Sequence, residues 1–428
     1  MRMKVLMLGW EFPPYISGGL GTACYGLTQG LSALGTEITF VLPHSVACAA
    51  THNVALINAE SSKLKNVTFR SVGVHLYPYA NPGGKIVPVG ARGCLRSKSA
   101  KNIQTKTGKH VSISTPPAIA HYGGDMFSQV HRYAELIGKI ADAEDFDVIH
   151  AHDWMTYPAA IAAAELTHKP LVVHVHSTEY DRSGQNVNAR ICHIEWEGMN
   201  RADRIIAVSR YTQRICINDY HIDPRKVQVV YNAIQPFSIQ SNCAKDENDD
   251  KVVLFLGRIT MQKGPEYFLF AAKKTLEVLP KVKFIMAGSG DMLHRMVNLA
   301  AELGIGQKVH FTGFLQGSDV DRMYRMADLY VMPSVSEPFG IAPLEAISRD
   351  VPVMISKQSG VSEVLGHVLK VDFWDIDEMA NKMIAVLRYP ALHKTLRQNG
   401  SSEVKKINWT DSAKGCISVY NSIMGKAS

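Results

Sequence analysis

A chain of 428 residues, 46% hydrophobic and 20% charged, has the size of two or three domains and a composition that excludes a disordered or fibrous protein. Its formal charge of +7 equals the seven cations between Gly84 and His110 (Lys85, Arg92, Arg96, Lys98, Lys101, Lys106 and Lys109), so the remainder is balanced. That Gly/Ser/Lys segment lacks interleaved aromatics, which argues against a nucleic-acid surface; it reads as a solvated loop, or as a flap over an acceptor or a diphosphate.

Taken from the N-terminus, residues 4–8 form a short apolar strand. The run stops at Glu11 and two prolines, too early for an export signal. A glycine-rich turn and a helix over 21–33 follow. Further strands are expected at 37–42, 147–151, 170–175, 204–208 and 228–231, with a helix over 156–166. Apolar strand, turn and helix in alternation predict a parallel sheet. The polar, acidic stretch 240–250 then reads as a linker. The rhythm restarts with strands at 252–256, 283–286, 309–312, 329–332 and 353–355, and helices over 265–277, 292–303, 320–326 and 342–348. Ala413, Ile417, Tyr420 and Met424 recur at helical steps, so the tail forms one more helix, expected to pack on the N-terminal half. The fold class is therefore α/β, with two doubly wound Rossmann-like units: 1–239, completed by 408–428, and 240–407. Ligands of such units sit outside the carboxyl ends of the strands, so two units place a cleft between them.

Seven cysteines without a CxxC pair or zinc spacing read as reduced thiols in a cytoplasmic protein. No run has the length of a membrane span.

Three segments carry chemistry. In the turn after the first strand, Gly18, Gly19 and Gly21 let a ligand approach the backbone at a helix N-terminus, which suits phosphate. The spacing is neither the P-loop nor the dinucleotide GxGxxG pattern. After the first strand of the second unit, Arg258 and Lys263 flank a turn between Gly257 and Gly264, a fork and a point charge for a diphosphate. Fixed cations aimed at a leaving diphosphate stabilise the transition state more than the ground state. In the third segment, Ser336 to Ala346, Glu337 lies in a loop, Gly340 and Pro343 mark a helix start, and Glu345 lies in the first turns. Two carboxylates converging on one crevice suit a polyhydroxylated ligand, and the N–H groups near Gly340 and Ile341 suit phosphate.

The Arg-x4-Lys pair and the two glutamates with seven residues between them resemble the retaining GT-B glycosyltransferases, namely glycosyltransferase family 4 (group 1) and the glycogen and starch synthase relatives. Gly18 to Gly21, Val208-Ser209, Tyr231 to Ile234 and Trp409 occupy matching places, so the resemblance covers nearly the whole chain. It implies that Arg258 and Lys263 contact the donor diphosphate, Glu337 the transferred sugar and Glu345 the ribose. It also implies an active-site histidine after an N-terminal strand, either His174 or His176, with His176 preferred because it ends the strand. His152 and Asp153 match the acceptor side, and Gly288 a nucleotide-side loop. The implied partners are a nucleotide diphosphate sugar donor (UDP- or ADP-sugar) and a carbohydrate acceptor such as an α-glucan, with glucose transferred and no cofactor or metal. Bacterial-type glycogen synthases have a lysine where this chain has Ile16, which leans toward the broader family 4. Another transferase of that group, or a silent nucleotide-sugar-binding protein, is the alternative.

Overall fold

The computed structural model describes residues 2–13, 18–43, 64, 66–72, 74, 126–235 and 250–425. The basic segment 84–110, Ile16, and the 240–250 linker up to residue 249 lie outside the described residues. Among those described, two wholly parallel sheets form, of seven and six strands.

The first sheet takes β1 (Lys4–Leu8), β2 (Glu37–Pro43), β3 (Val67–Val72), β4 (Val148–His152), β5 (Leu171–Val175), β6 (Arg204–Ala207) and β7 (Val227–Val229) in the order β3-β2-β1-β4-β5-β6-β7. The second takes β8 (Lys251–Leu256), β9 (Val282–Ala287), β10 (Val309–Gly313), β11 (Leu329–Met332), β12 (Val353–Ser356) and β13 (Leu369–Val371) in the order β10-β9-β8-β11-β12-β13. Strands β4, β5 and β11 are buried at every residue, which is why they read as continuous apolar runs and not as alternation. In each sheet the order reverses beside the first strand, at β1/β4 and at β8/β11. Those two reversals are where open α/β sheets place their ligands.

The helices joining the strands of the first sheet are α1 (Gly19–Ala33), α2 (Met126–Ala143), α3 (Tyr157–Thr167), α4 (Glu179–Ser183), α5 (Ala189–Arg201) and α6 (Arg210–Asn218). In the second unit they are α7 (Pro265–Val278), α8 (Leu293–Glu302), α9 (Ser318–Met326), α10 (Ile341–Ile347), α11 (Ile376–Arg388) and α12 (Pro390–Val404). The last helix, α13 (Trp409–Ile423), returns to the first unit and packs on α1. Gly26 of α1 has no room for a side chain, because a Cβ there would lie 2.1 Å from the Trp409 indole. The buried face of α13 is Trp409, Ala413, Cys416, Val419 and Tyr420, and Ile417 and Met424 of the expected face pack, half-buried, against the same core. None of the described helices is long and apolar enough to cross a membrane.

Candidate active site

The predicted donor residues gather at the β8/β11 reversal, and a glycine explains how. Gly264 has φ +62 and caps α7, with Pro265 in its first position. A Cβ on Gly264 would lie 2.1 Å from the Pro333 carbonyl, so only glycine lets the turn after β8 close on the end of β11. That contact delivers Lys263 to Glu337, and the two are ion-paired with both side chains largely buried. Ser334 Oγ donates to the same Glu337 oxygen at 3.2 Å. Arg258 reaches Gln262 Oε1 at 3.4 Å on the inner side of that turn.

Glu345 lies one layer on. Its carboxylate accepts from the Tyr324 hydroxyl at 3.0 Å, and its pKa is raised, burial being the main cause. Tyr330 is buried between the acids: its hydroxyl donates to the Leu256 carbonyl at 3.2 Å, and burial, then the charges of Glu337 and Glu345, push its pKa up. Gly340, at φ +99, caps α10 in a space that a side chain would share with Glu337 Cγ at 3.1 Å. Ile341 follows, half-buried, and packs against the hydrophobic cores of both units. Gly288 serves the loop pair itself, since a Cβ there would lie 1.8 Å from the Gly257 carbonyl. The β9 loop and the Arg258 turn are thereby locked together, with Ile259 N–H bonded to the Ser289 carbonyl at 2.9 Å.

On the N-terminal side, a Cβ on Gly18 or Gly19 would meet no described atom within 4 Å. A carboxyl already meets the first turn of α1, which Gly18 caps and Gly19 begins. Buried Glu11 accepts from the Gly21 N–H at 3.1 Å, a contact no local sequence spacing announces.

The histidines form a larger assembly than expected. His150, His152, His174 and His176 lie on one face of β4 and β5, the consequence of two His-x-His tracts on neighbouring strands. His150 Nδ1 meets the Tyr420 hydroxyl at 2.5 Å, His150 Nε2 meets His174 Nδ1 at 3.1 Å, and His152 Nδ1 meets His176 Nε2 at 2.9 Å. Burial holds His152 down to about 3 and the other three well below the usual imidazole range, so all four are neutral near pH 7. A neutral imidazole has one N–H, so whichever ring donates between His152 and His176, one outward nitrogen, His152 Nε2 or His176 Nδ1, keeps a buried N–H without a partner among the described residues.

His174 is in the core and His176 is the half-buried member at the strand's end. His152 and Asp153, expected on the acceptor side, lie beside His176. Both are buried, His152 completely, and they support His176 from behind. Asp153, at φ +59, accepts from the N–H groups of His176 at 2.7 Å and Ser177 at 3.3 Å. Burial raises its pKa to about 7. Cys24 Sγ and one nitrogen each of His152 and His176 lie within 4.8 Å of one another, a spacing open to an ion, although no sequence spacing signalled it. Among the described residues, hydrogen bonds join the rings in two separate pairs, His150 with His174 and His152 with His176.

The two half-sites meet. Met261, beside Lys263, lies 3.5 Å from the Cβ position of Gly184, and Ser336 Oγ donates to Asp181 Oδ1 of the first unit at 2.5 Å. Below Asp181, a buried network of Arg182 with Glu179 (3.1 Å) and Glu195 (2.6 Å) holds the loop after His176. A cavity of about 430 Å³ also opens between the units, lined by Arg210, Arg214, Tyr231, Lys357, Ser359, Ser362 and Glu363.

Residues 240–403 match the family of glycosyl transferases group 1, and residues 96–236 match glycosyltransferase family 4. An uncharacterized glycosyltransferase of Methanocaldococcus jannaschii is 28% identical over 441 residues, covering 99% of each chain. A glycogen synthase of Mycobacterium tuberculosis is 22% identical, over 85% of this chain and 80% of its own length. Among solved structures, sucrose-phosphate synthase from Thermosynechococcus elongatus superposes with a TM-score of 0.73 at 17% identity, over 99% of this chain and 100% of that one. The Anabaena protein HepE in complex with UDP and glucose does so with a TM-score of 0.67 at 16% identity, over 98% and 100%. With both units matched in sequence and the two parallel sheets matched in space, this chain belongs to the group 1 glycosyltransferases of the GT-B fold.

Proposed function

We propose that this glycosyltransferase moves a hexosyl group, glucose in the first instance, from a UDP- or ADP-sugar to a carbohydrate acceptor such as an α-glucan, with retention of configuration and without a metal ion or other cofactor. The observation that carries the reading is the Lys263–Glu337 pair at the β8/β11 reversal, with Arg258 on the adjoining turn and Glu345 one layer behind. A diphosphate placed against Arg258 and Lys263 sets its sugar hydroxyls toward Glu337 and its ribose toward Glu345. As the glycosidic bond breaks, negative charge grows on the diphosphate, and cations already in place stabilise it without reorganising. The family resemblance gives His176, neutral and half-buried in the first unit, the role of hydrogen-bonding the sugar. In the retaining route that the family resemblance implies, the departing phosphate takes the acceptor proton. The free cysteines fit a cytoplasmic setting.

A different acceptor is the second reading. Ile16 in place of lysine favours it. So does the spread of relatives, which includes an α-1,3-galactosyltransferase of Escherichia coli, 25% identical over 66% of this chain.

Nucleotide sugars crossed with acceptors, with EDTA present and products weighed by mass spectrometry, test the reading. Transfer from UDP- or ADP-glucose to a glucan is expected. Binding without turnover across the panel contradicts it and points to a silent binding protein.

A further inference from the structure

Glu337 belongs to the second unit, yet the residues on either side of it are held by the first. Ser336 Oγ donates to Asp181 Oδ1 at 2.5 Å and pairs with the Tyr211 hydroxyl at 3.0 Å. The Pro338 carbonyl accepts from Ser209 Oγ at 2.5 Å and from Thr212 Oγ1 at 3.3 Å. Asp181, Ser209 and Thr212 are buried, each at 1% exposure or less, so these contacts are shielded from water. Their geometry is fixed from behind. Thr178 and Asp181 form a capping box in which Asp181 Oδ2 takes both the Thr178 N–H and its hydroxyl at 2.8 Å, which leaves Oδ1 aimed at Ser336. Ser209 caps α6 by accepting from the Thr212 N–H at 3.0 Å. The approach is tight enough to require glycine at 360, where a Cβ would lie 2.2 Å from the Pro338 carbonyl and 2.5 Å from Ser209 Cβ.

We infer that Asp181, acting through the Ser336 hydroxyl, is a positioning residue that sets Glu337 against the donor sugar only while the two units are closed on each other. The inference rests on the reading that Glu337 meets the transferred sugar. The loop's own unit supplies only part of its support: the Glu337 N–H bonds the Gln358 carbonyl at 3.0 Å and its carbonyl takes the Gly360 N–H at 2.9 Å. The Asp181 and Ser209 contacts cross the interface, so separation of the units breaks them. Closure therefore does more than exclude water; it completes the register of one site residue. An offset on the order of 1 Å at such a group costs about a hundredfold in rate.

The test uses full-length Ser336→Ala and Ser336→Thr proteins beside Glu337→Gln, with UDP-glucose or ADP-glucose as donor and a maltooligosaccharide as acceptor. Ser336→Ala is expected to lower kcat roughly tenfold to a hundredfold. Nucleoside diphosphate affinity by calorimetry should stay within about twofold, as the Arg258, Lys263 and Glu345 contacts are intact. Amide exchange should rise in 334–340 alone, and Ser336→Thr, which keeps a hydroxyl, should restore most of kcat. A drop in kcat, affinity and Tm together, or wild-type kcat with unchanged exchange, overturns the inference. Should Ser336→Ala not fold, Ser209→Ala on the Pro338 side is held to the same outcomes. If Glu337→Gln is itself fully active, the functional reading fails and not only the inference.

Discussion

The Lys263 ammonium and the Glu337 carboxylate, seventy-four residues apart in sequence, form an ion pair at the point where the second sheet reverses. The pair joins the charge expected to meet a diphosphate with the acid expected to meet a sugar. Replacing Glu337 by Gln keeps the shape and the Ser334 contact but removes the charge. Transfer should fall roughly a hundredfold or more, while nucleoside diphosphate affinity by calorimetry stays nearly intact. Full activity in Glu337→Gln would refute the role.

Glu345 predicts the opposite signature. It is anchored by Tyr324 and is proposed to hold the ribose, so Glu345→Gln should weaken nucleoside diphosphate binding by about tenfold to a hundredfold, the worth of charged hydrogen bonds to hydroxyls. Titration calorimetry with UDP and ADP measures it, and an unchanged Kd would place the ribose elsewhere.

Much of this site was legible because its signals are local. Arg258 and Lys263 sit on a turn bounded by glycines, and the Glu337 and Glu345 segment carries its own helix start. The strands showed for the same reason, since parallel strands buried on both faces are unbroken apolar runs. What escaped notice depends on long-range geometry. β3 is half exposed at the sheet edge and lacks an apolar run, and α2 and α5 bury only one stripe. Nothing in the spacing of His150 and His174 announces that their rings will touch, because strand register decides it. The burial of His152 and Asp153 follows from the same register, in which His152 lies beside His174 at the sheet's centre.

Stability should decline on mild acidification. Between about pH 7 and 5.5 the unfolded chain binds protons on His150, His152, His174 and His176 that the folded chain excludes, since burial lowers all four pKa values. Each such histidine withdraws up to about 1.4 kcal/mol per pH unit once pH is below its unfolded pKa. Asp153 works in the other direction: raised to about 7, it holds a proton in the fold that the unfolded chain has lost, which adds stability as pH falls toward about 4. Asp153→Asn tolerates the left-handed backbone and can still accept the His176 N–H. The variant should therefore make the acid-side loss steeper by up to about 1.4 kcal/mol per pH unit. Urea midpoints across that range check this; a flat profile would mean the histidines are not held neutral.

The return of α13 to the first unit predicts a packing defect at Gly26. An alanine methyl there meets the buried Trp409 ring, so Gly26→Ala should destabilise by at least about 2 kcal/mol. Differential scanning calorimetry reads it, and a wild-type Tm would show that α13 is not seated on α1 as described.

A crystal structure of the protein soaked with UDP or ADP bears most directly on the central claim. The account predicts both phosphates against Arg258 and Lys263, with the ribose hydroxyls on Glu345. A diphosphate bound elsewhere, with that turn and both glutamates untouched, would contradict it.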